Sequence, residues 1–243
     1  MRYAIFSDAH SNLEALEKVL DEVRRDGPDR TIFLGDAVGY GPDPNEVIEL
    51  LAGQCDLWLA GNHDWAALER IDPEEFNPHA REAILWTQKV LTPTNRERLQ
   101  GRALEWAEGK LRGVHATPRE PEQWHYLLGL EDAARNFQCF SEKACFIGHS
   151  HEPLLLERDP TGAIHLHPKE EALTLREGCR YLINVGSVGQ PRDGDPRACY
   201  LLYDSESQTL QLKRVEYDIP RVQEKMRRQG LPRYLVERLA QGR

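Results

Sequence analysis

Short apolar runs that end in acidic, amide or imidazole residues recur along the first part of the chain. Tyr3-Ala4-Ile5-Phe6 runs into Ser7-Asp8-Ala9-His10, Thr31 to Leu34 into Gly35-Asp36, and Leu57 to Ala60 into Gly61-Asn62-His63-Asp64. Runs this short and continuous predict strands buried on both faces. Between the first two, Leu13, Leu16, Val19, Leu20 and Val23 fall on one side of a 3.6-residue period, and Gly27-Pro28 stops that helix. Asp43 reads as the cap of a second helix with Pro44 in its first turn. The alternation of strand and helix predicts parallel pairing under covering helices. It also places polar residues at the carboxyl ends of strands, where open α/β sheets bind their ligands.

The pattern then changes. Trp65 to Gly109 reads as helical, with Ile84, Leu85 and Val90 on the core face of a helix over His79 to Leu91 and a restart at Thr94 after Pro93. Lys110 to Val114 predicts a strand that delivers His115, Leu130 to Phe140 a helix, and Ala144 to Ile147 a strand running into Gly148-His149-Ser150-His151. Short runs at Leu154–Leu156, Ile164–Leu166, Tyr181–Ile183, Cys199–Leu202 and Leu210–Leu212 are separated by Gly, Pro and Asp, and predict antiparallel strands or hairpins. Ile219 to Ala240 reads as one or two charged surface helices broken at Gly230 and Pro232. With no repeat or linker, a single domain over residues 1–243 is expected.

Composition narrows the function classes. At 40% hydrophobic and 29% charged residues the chain has the balance of a soluble globular protein. Its formal net charge of −9 disfavours nonspecific binding to nucleic acid or an anionic membrane, and no basic stripe marks a nuclease. An anionic substrate would need bound cations to draw it in. Cys55, Cys139, Cys145, Cys179 and Cys199 are odd in number and scattered, as small hydrophobes of a reducing compartment would be. No signal peptide or bilayer-length apolar segment is visible, so a cytoplasmic location is expected.

Collected together, the strand-end residues are Asp8 and His10, Asp36, Asn62 and His63, His115, and His149 with His151. Carboxylate and amide oxygens with neutral imidazoles suit two divalent ions such as Mn²⁺, Fe²⁺, Ni²⁺ or Zn²⁺ better than Ca²⁺. In an extended strand end, Asp-x-His and His-x-His project both side chains to the same side, so each pair can meet at one point. A carboxylate, having two oxygens, is the group that bridges two ions, and Asp36 lies between the other ligand segments in the order of the sheet.

In order and spacing these five segments resemble the calcineurin-like metallophosphoesterase superfamily over residues 3 to 151. Ser7 to Leu16, Gly35 to Pro42 and Asn184 to Asp193 further resemble its small bacterial and archaeal phosphodiesterase branch. The resemblance implies an αββα sandwich of four layers, with two central mixed β-sheets flanked by helices. It also implies two divalent ions, Mn²⁺ being the expected one. The first would be held by Asp8, His10, Asp36 and His151, and the second by Asp36, Asn62, His115 and His149. His63 would face the phosphate without ligating, either steadying the phosphoryl charge or giving a proton to the leaving oxygen. The implied reaction is hydrolysis of a small or nucleotide-like phosphodiester, with phosphomonoesters also possible, by in-line attack of a metal-bridging hydroxide.

Some positions depart from the family. Gly39 and Tyr40 stand where protein serine/threonine phosphatases carry an Asp and an Arg, which argues against that activity. Ala116 follows His115 in place of the usual Gly, and Val185 replaces a common Pro. A binding scaffold without catalysis is the non-enzyme alternative, although such scaffolds would be expected to have lost ligands or the His63 position. Asn12 and Arg192 are candidate substrate contacts, Arg192 by bidentate binding of phosphate or as a local ion pair with Asp193. Trp124 and Tyr126 read either as pocket walls or as packing.

Overall fold

The computed structural model describes residues 1–243. The first half alternates strands and helices: β1 (Arg2–Phe6), α1 (Leu13–Asp26), β2 (Arg30–Phe33), α2 (Pro44–Gln54), β3 (Leu57–Trp58), α3 (Asn62–Ala67), α4 (Pro78–Val90) and α5 (Pro93–Leu99). After them come β4 (Glu105–Glu108), β5 (Leu111–Val114), α6 (Leu130–Asn136), β6 (Ala144–Ile147), β7 (Leu154–Arg158) and β8 (Ile164–His167). The chain closes with β9 (Leu173–Thr174), β10 (Arg180–Asn184), β11 (Ala198–Asp204), β12 (Thr209–Val215), α7 (Ile219–Arg228) and α8 (Arg233–Arg238).

These strands form two mixed six-stranded sheets, ordered β3-β2-β1-β11-β12-β9 and β4-β5-β6-β10-β7-β8. The period of two along β1 sets the layering. Ala4 and Phe6 join Leu16, Val19, Val47 and Ile48 beneath α1 and α2. Tyr3 and Ile5 face the other way and pack with Phe146, Tyr181 and Ile183 of the second sheet. The outer face of that sheet, through Val114, Cys145 and Leu182, is covered by Ala133 and Phe137 of α6. The four layers are therefore helix, sheet, sheet, helix.

Several sequence expectations need correction. Glu105–Glu108 is a strand paired antiparallel with β5, because Gly109 and Lys110 close a hairpin there rather than ending a helix. On α4, Ile84 is buried but Leu85 is exposed, since Ala80, Ala83 and Ile84 supply the packed stripe. Asp43 occupies the cap position of α2 without a side-chain cap bond, its carboxylate being drawn instead to the ammonium of Lys225. The C-terminal helices are not merely surface: Val222, Met226, Leu235 and Val236 pack on Ala80, Ala83 and Tyr40. No helix is long and apolar enough to cross a membrane.

Candidate metal centre

The residues that follow β1, β2 and β3 in one sheet, and β5 and β6 in the other, meet in a crevice at the sheets' carboxyl ends. Their side chains do not converge by alternation along extended strands. They sit beyond the strand ends in left-handed backbone, with φ of +57° at Asp8, +45° at His10, +59° at Asp36, +66° at His149 and +63° at His151. Such conformations cost a non-glycine residue on the order of 1–3 kcal/mol and persist only where the surrounding structure imposes them. Here the surroundings are tight reversals that turn each side chain back toward one point.

Backbone carbonyls fix three of the imidazoles. Nδ1 of His10 donates to the Val38 carbonyl at 3.0 Å, Nδ1 of His151 to that of Gln190 at 2.6 Å, and Nδ1 of His115 to that of Leu34 at 3.2 Å. With Nδ1 so occupied, Nε2 is the ring nitrogen that each presents inward. The Nε2 atoms of His10 and His151 are only 3.0 Å apart, with Asp8 Oδ1 at 3.6 and 3.2 Å from them. Nitrogens at that separation share a proton or a metal cation between them. Asp8 Oδ1, Asn62 Oδ1, His115 Nε2 and His149 Nε2 are buried with no hydrogen-bond partner, each a cost of about 1–3 kcal/mol that a bound cation would relieve. The residues fit divalent ions.

Asp8, His10 and His151 make one triad and Asp36, His115 and His149 another, the ligand atoms of each lying within 4.8 Å of one another. Asp36 joins them. Its Oδ2 is 3.6 Å from His10 Nε2 and 3.3 Å from His115 Nε2, while its Oδ1 accepts the backbone N–H of His63 at 2.8 Å. One oxygen, not two, therefore faces both triads. Asn62 and His63 line the same cavity, and His63 also comes within ligand distance of His10 and Asp36.

The electrostatics agree with a demand for positive charge. Burial works against ionisation of Asp8 and Asp36, but the neighbouring histidines, His151 for Asp8 and His115 for both, outweigh it and hold both carboxyls below their usual range. Burial pushes the imidazoles of His149 and His151 down to about 3 and that of His63 well below its ordinary value, so all three are neutral. At His115 the Asp36 and Asp8 carboxylates overcome burial and raise the imidazole to about 9. The His115 imidazolium answers one of the two carboxylates in this dry crevice, and a bound divalent ion would replace its proton and answer both.

Two supports had no assigned role in the sequence. Asp64 accepts the backbone N–H of Asp36 at 3.0 Å, of Gly61 at 3.1 Å and of Val38 at 3.2 Å, so it pins the turn that presents Asp36. Burial, followed by the nearby Asp36 charge, pushes its carboxyl up to about 7. Its signal was available as the spacing from Gly61, that of a helix-capping carboxylate. The second support is the Gly186-to-Arg192 segment. A Cβ on Gly189 would lie 1.9 Å from the Ala9 carbonyl oxygen, and Ser187 Oγ donates to the Asp8 carbonyl at 2.9 Å. That segment clamps the Asp8 turn, orients His151 through Gln190 and ends by delivering Arg192.

Arg192 lines the cavity half-buried and forms no ion pair; of its two readings, the local pair with Asp193 is not made, because Asp193 is taken by Lys169 and Arg214. Its guanidinium donates to Tyr40 Oη at 3.2 Å and Gln190 Oε1 at 3.1 Å, leaving Nε without a partner. Asn12 is corrected as a substrate contact. Its amide caps α1 by accepting from Ala15 N at 3.1 Å and donates to the Gly189 carbonyl at 2.9 Å, so it is consumed by the fold and does not line the cavity. Trp124 and Tyr126 do line it.

A model of the calcineurin-like phosphoesterase superfamily domain matches residues 1–208. The Methanocaldococcus jannaschii protein MJ0912 is 40% identical, the alignment covering 99% of this chain and 98% of that one. The crystal structure of a metallophosphoesterase from Sphaerobacter thermophilus superposes with a TM-score of 0.88 at 43% identity, covering 100% of this chain and 99% of that one. The protein PH1004 from Pyrococcus horikoshii shares the fold, with a TM-score of 0.80 at 20% identity over 100% of this chain and 98% of that one.

Proposed function

The chain belongs to the calcineurin-like phosphoesterase superfamily, and on that footing we propose that it hydrolyses a small phosphodiester, and phosphomonoesters less readily, with two divalent ions, Mn²⁺ foremost. The observation that carries this reading is the 3.0 Å approach of two inward-facing Nε2 atoms, His10 and His151, beside an unpartnered oxygen of Asp8. That arrangement is a cation site in a crevice open to substrate.

Asp8, His10 and His151 would hold one ion and Asn62, His115 and His149 the other, with Asp36 shared between them. The chemistry such ions would supply is positive charge, which would acidify a water and steady phosphoryl oxygens. The protein's own groups do the remaining work. His63, neutral and wedged between Tyr40 at 4.5 Å and Phe76 at 5.0 Å, offers an N–H to the phosphoryl or leaving oxygen. Arg192 closes on a non-bridging phosphate oxygen through its free Nε–H, in place of the arginine that position 40 lacks. It is the one cation among the cavity residues, which suits a singly charged diester. The retained set of ligands together with His63 speaks against a non-catalytic scaffold.

The test is to strip the protein of metal, restore single ions, and compare p-nitrophenyl phosphate with its bis-ester in wild type, Asp36→Asn and His63→Ala. Metal-dependent turnover favouring the bis-ester, with losses of about a hundredfold or more in both variants, is expected. Equal activity in wild type and Asp36→Asn would refute it.

A further inference from the structure

Tyr40 is buried yet lines the cavity, its ring 4.5 Å from those of both His10 and His63. Its hydroxyl accepts from the Arg192 guanidinium at 3.2 Å, and the guanidinium carbon stands 5.7 Å from the centre of the ring. One side chain therefore touches an imidazole of the metal centre, the imidazole proposed to face the phosphate, and the cavity's cation. Its backbone is left-handed, with φ of +54°, a conformation that a bulky residue keeps only where its surroundings hold it.

Those surroundings come from the far end of the chain. Val222 and Met226 of α7 and Leu235 and Val236 of α8, all buried, join Tyr40 in one apolar cluster. Lys225 of α7 ties that helix to the body of the fold, through Glu14 of α1 at 2.9 Å and through Asp43, three residues after Tyr40. The same C-terminal segment reaches the other partner. The Gly242 carbonyl accepts the N–H of Gly194, two residues after Arg192, at 2.9 Å. Both ends of the Tyr40–Arg192 hydrogen bond are thus braced by residues 219–242.

A guanidinium on a flexible stem loses rotamer freedom when it closes on a phosphate, and an acceptor that fixes it beforehand removes part of that cost. A carboxylate in that place would neutralise the charge the phosphate needs; a phenol does not. We propose that Tyr40 is a positioning residue, whose hydroxyl sets Arg192 toward the phosphate and whose place is held by α7, α8 and the C-terminal residues. This rests on the hydrolytic reading above and adds what makes Arg192 available to the substrate.

Metal-loaded wild type, Tyr40→Phe, Arg192→Ala and the double variant are compared on bis(p-nitrophenyl) phosphate. Tyr40→Phe keeps the ring and its packing and removes one acceptor, so KM is expected to rise about fivefold, with a smaller change in kcat and wild-type metal content. Beside Arg192→Ala the same substitution should alter KM by less than about twofold, because the hydroxyl acts only through the guanidinium. Met226→Ala, which opens a cavity in the cluster that holds the ring, should likewise raise KM in wild type and not beside Arg192→Ala, at a temperature where every variant is folded. A wild-type KM in Tyr40→Phe or in Met226→Ala, or an equal rise in both backgrounds, overturns the proposal while leaving the hydrolase reading intact. If wild type cleaves no ester, the hydrolase reading fails, and calorimetric binding of inorganic phosphate to the same proteins decides the question. Weaker phosphate binding in Tyr40→Phe, with the difference lost beside Arg192→Ala, supports the positioning role; equal binding in wild type and Tyr40→Phe overturns it.

Discussion

A Cβ built on Gly39 would lie 2.4 Å from Nδ1 of His63, and Gly39 has a φ of +92°. The position is glycine because the imidazole needs the space and the backbone needs that conformation. Gly39→Ala is therefore expected to displace the His63 ring without touching any metal ligand. Hydrolysis should fall about tenfold to a hundredfold, the scale of a misplaced catalytic group, while metal content stays at the wild-type level. Steady-state kinetics beside metal analysis checks both halves, and full activity in the variant would remove His63 from the reaction.

Asp64→Asn tests the support beneath Asp36. The amide keeps one acceptor but turns an NH₂ toward backbone N–H groups that the carboxylate now satisfies at 3.0 to 3.2 Å. A loss of about 1–3 kcal/mol in folding stability is expected, together with weaker metal binding, because the Asp36 turn is no longer pinned. Urea unfolding and a metal titration measure the two effects, and an unchanged metal affinity would show that the turn holds itself.

Arg192 separates substrate binding from metal binding. Arg192→Ala should raise KM for the bis-ester about tenfold with metal content unchanged, the loss of one charge-assisted contact. Arg192→Lys should recover only part, since an ammonium cannot reach Tyr40, Gln190 and the phosphate together. Wild-type KM in Arg192→Ala would return Arg192 to a structural role.

Away from the site, Glu157 is fully buried on β7. Burial opposes its charge, but Arg176 and the Tyr181 hydroxyl, which donates at 2.8 Å, outweigh that and hold the carboxyl down to about 2. Because the folded value lies below the ordinary 4.5, the ionised group stabilises the fold above that pH. Its contribution is lost as pH falls from about 4.5 toward 2. Glu157→Gln should lower Tm at pH 7 and flatten the decline of Tm in that acid window. Parallel acid limbs in the two proteins would contradict this.

The strand ends were readable in the sequence because buried strands leave short apolar runs and ligands follow each run directly. Asp8, Asp36, His115, His149 and His151 were placed by that pattern, and the structure gathers them. What the sequence could not carry was the means of gathering. Left-handed backbone at Asp8 and His10 leaves no distinct signature, because Asp and His enter that region more readily than most residues yet still only occasionally. Asn12 looked available because its capping partner lies in the next turn and its second partner, Gly189, is 177 residues away. Tyr40 likewise appeared only as a departure from a motif, whereas in three dimensions it lies between His10, His63 and Arg192, underpinned by helices from the far end of the chain.

On the proposed reading, two ions shared by Asp36 make this crevice a hydrolase. That reading is tested most directly by titrating Mn²⁺ into the metal-stripped protein while following hydrolysis of bis(p-nitrophenyl) phosphate. Activity should be absent without metal and rise to a plateau that breaks at two equivalents per chain. Hydrolysis that persists in chelator, or that saturates at one equivalent, would contradict it.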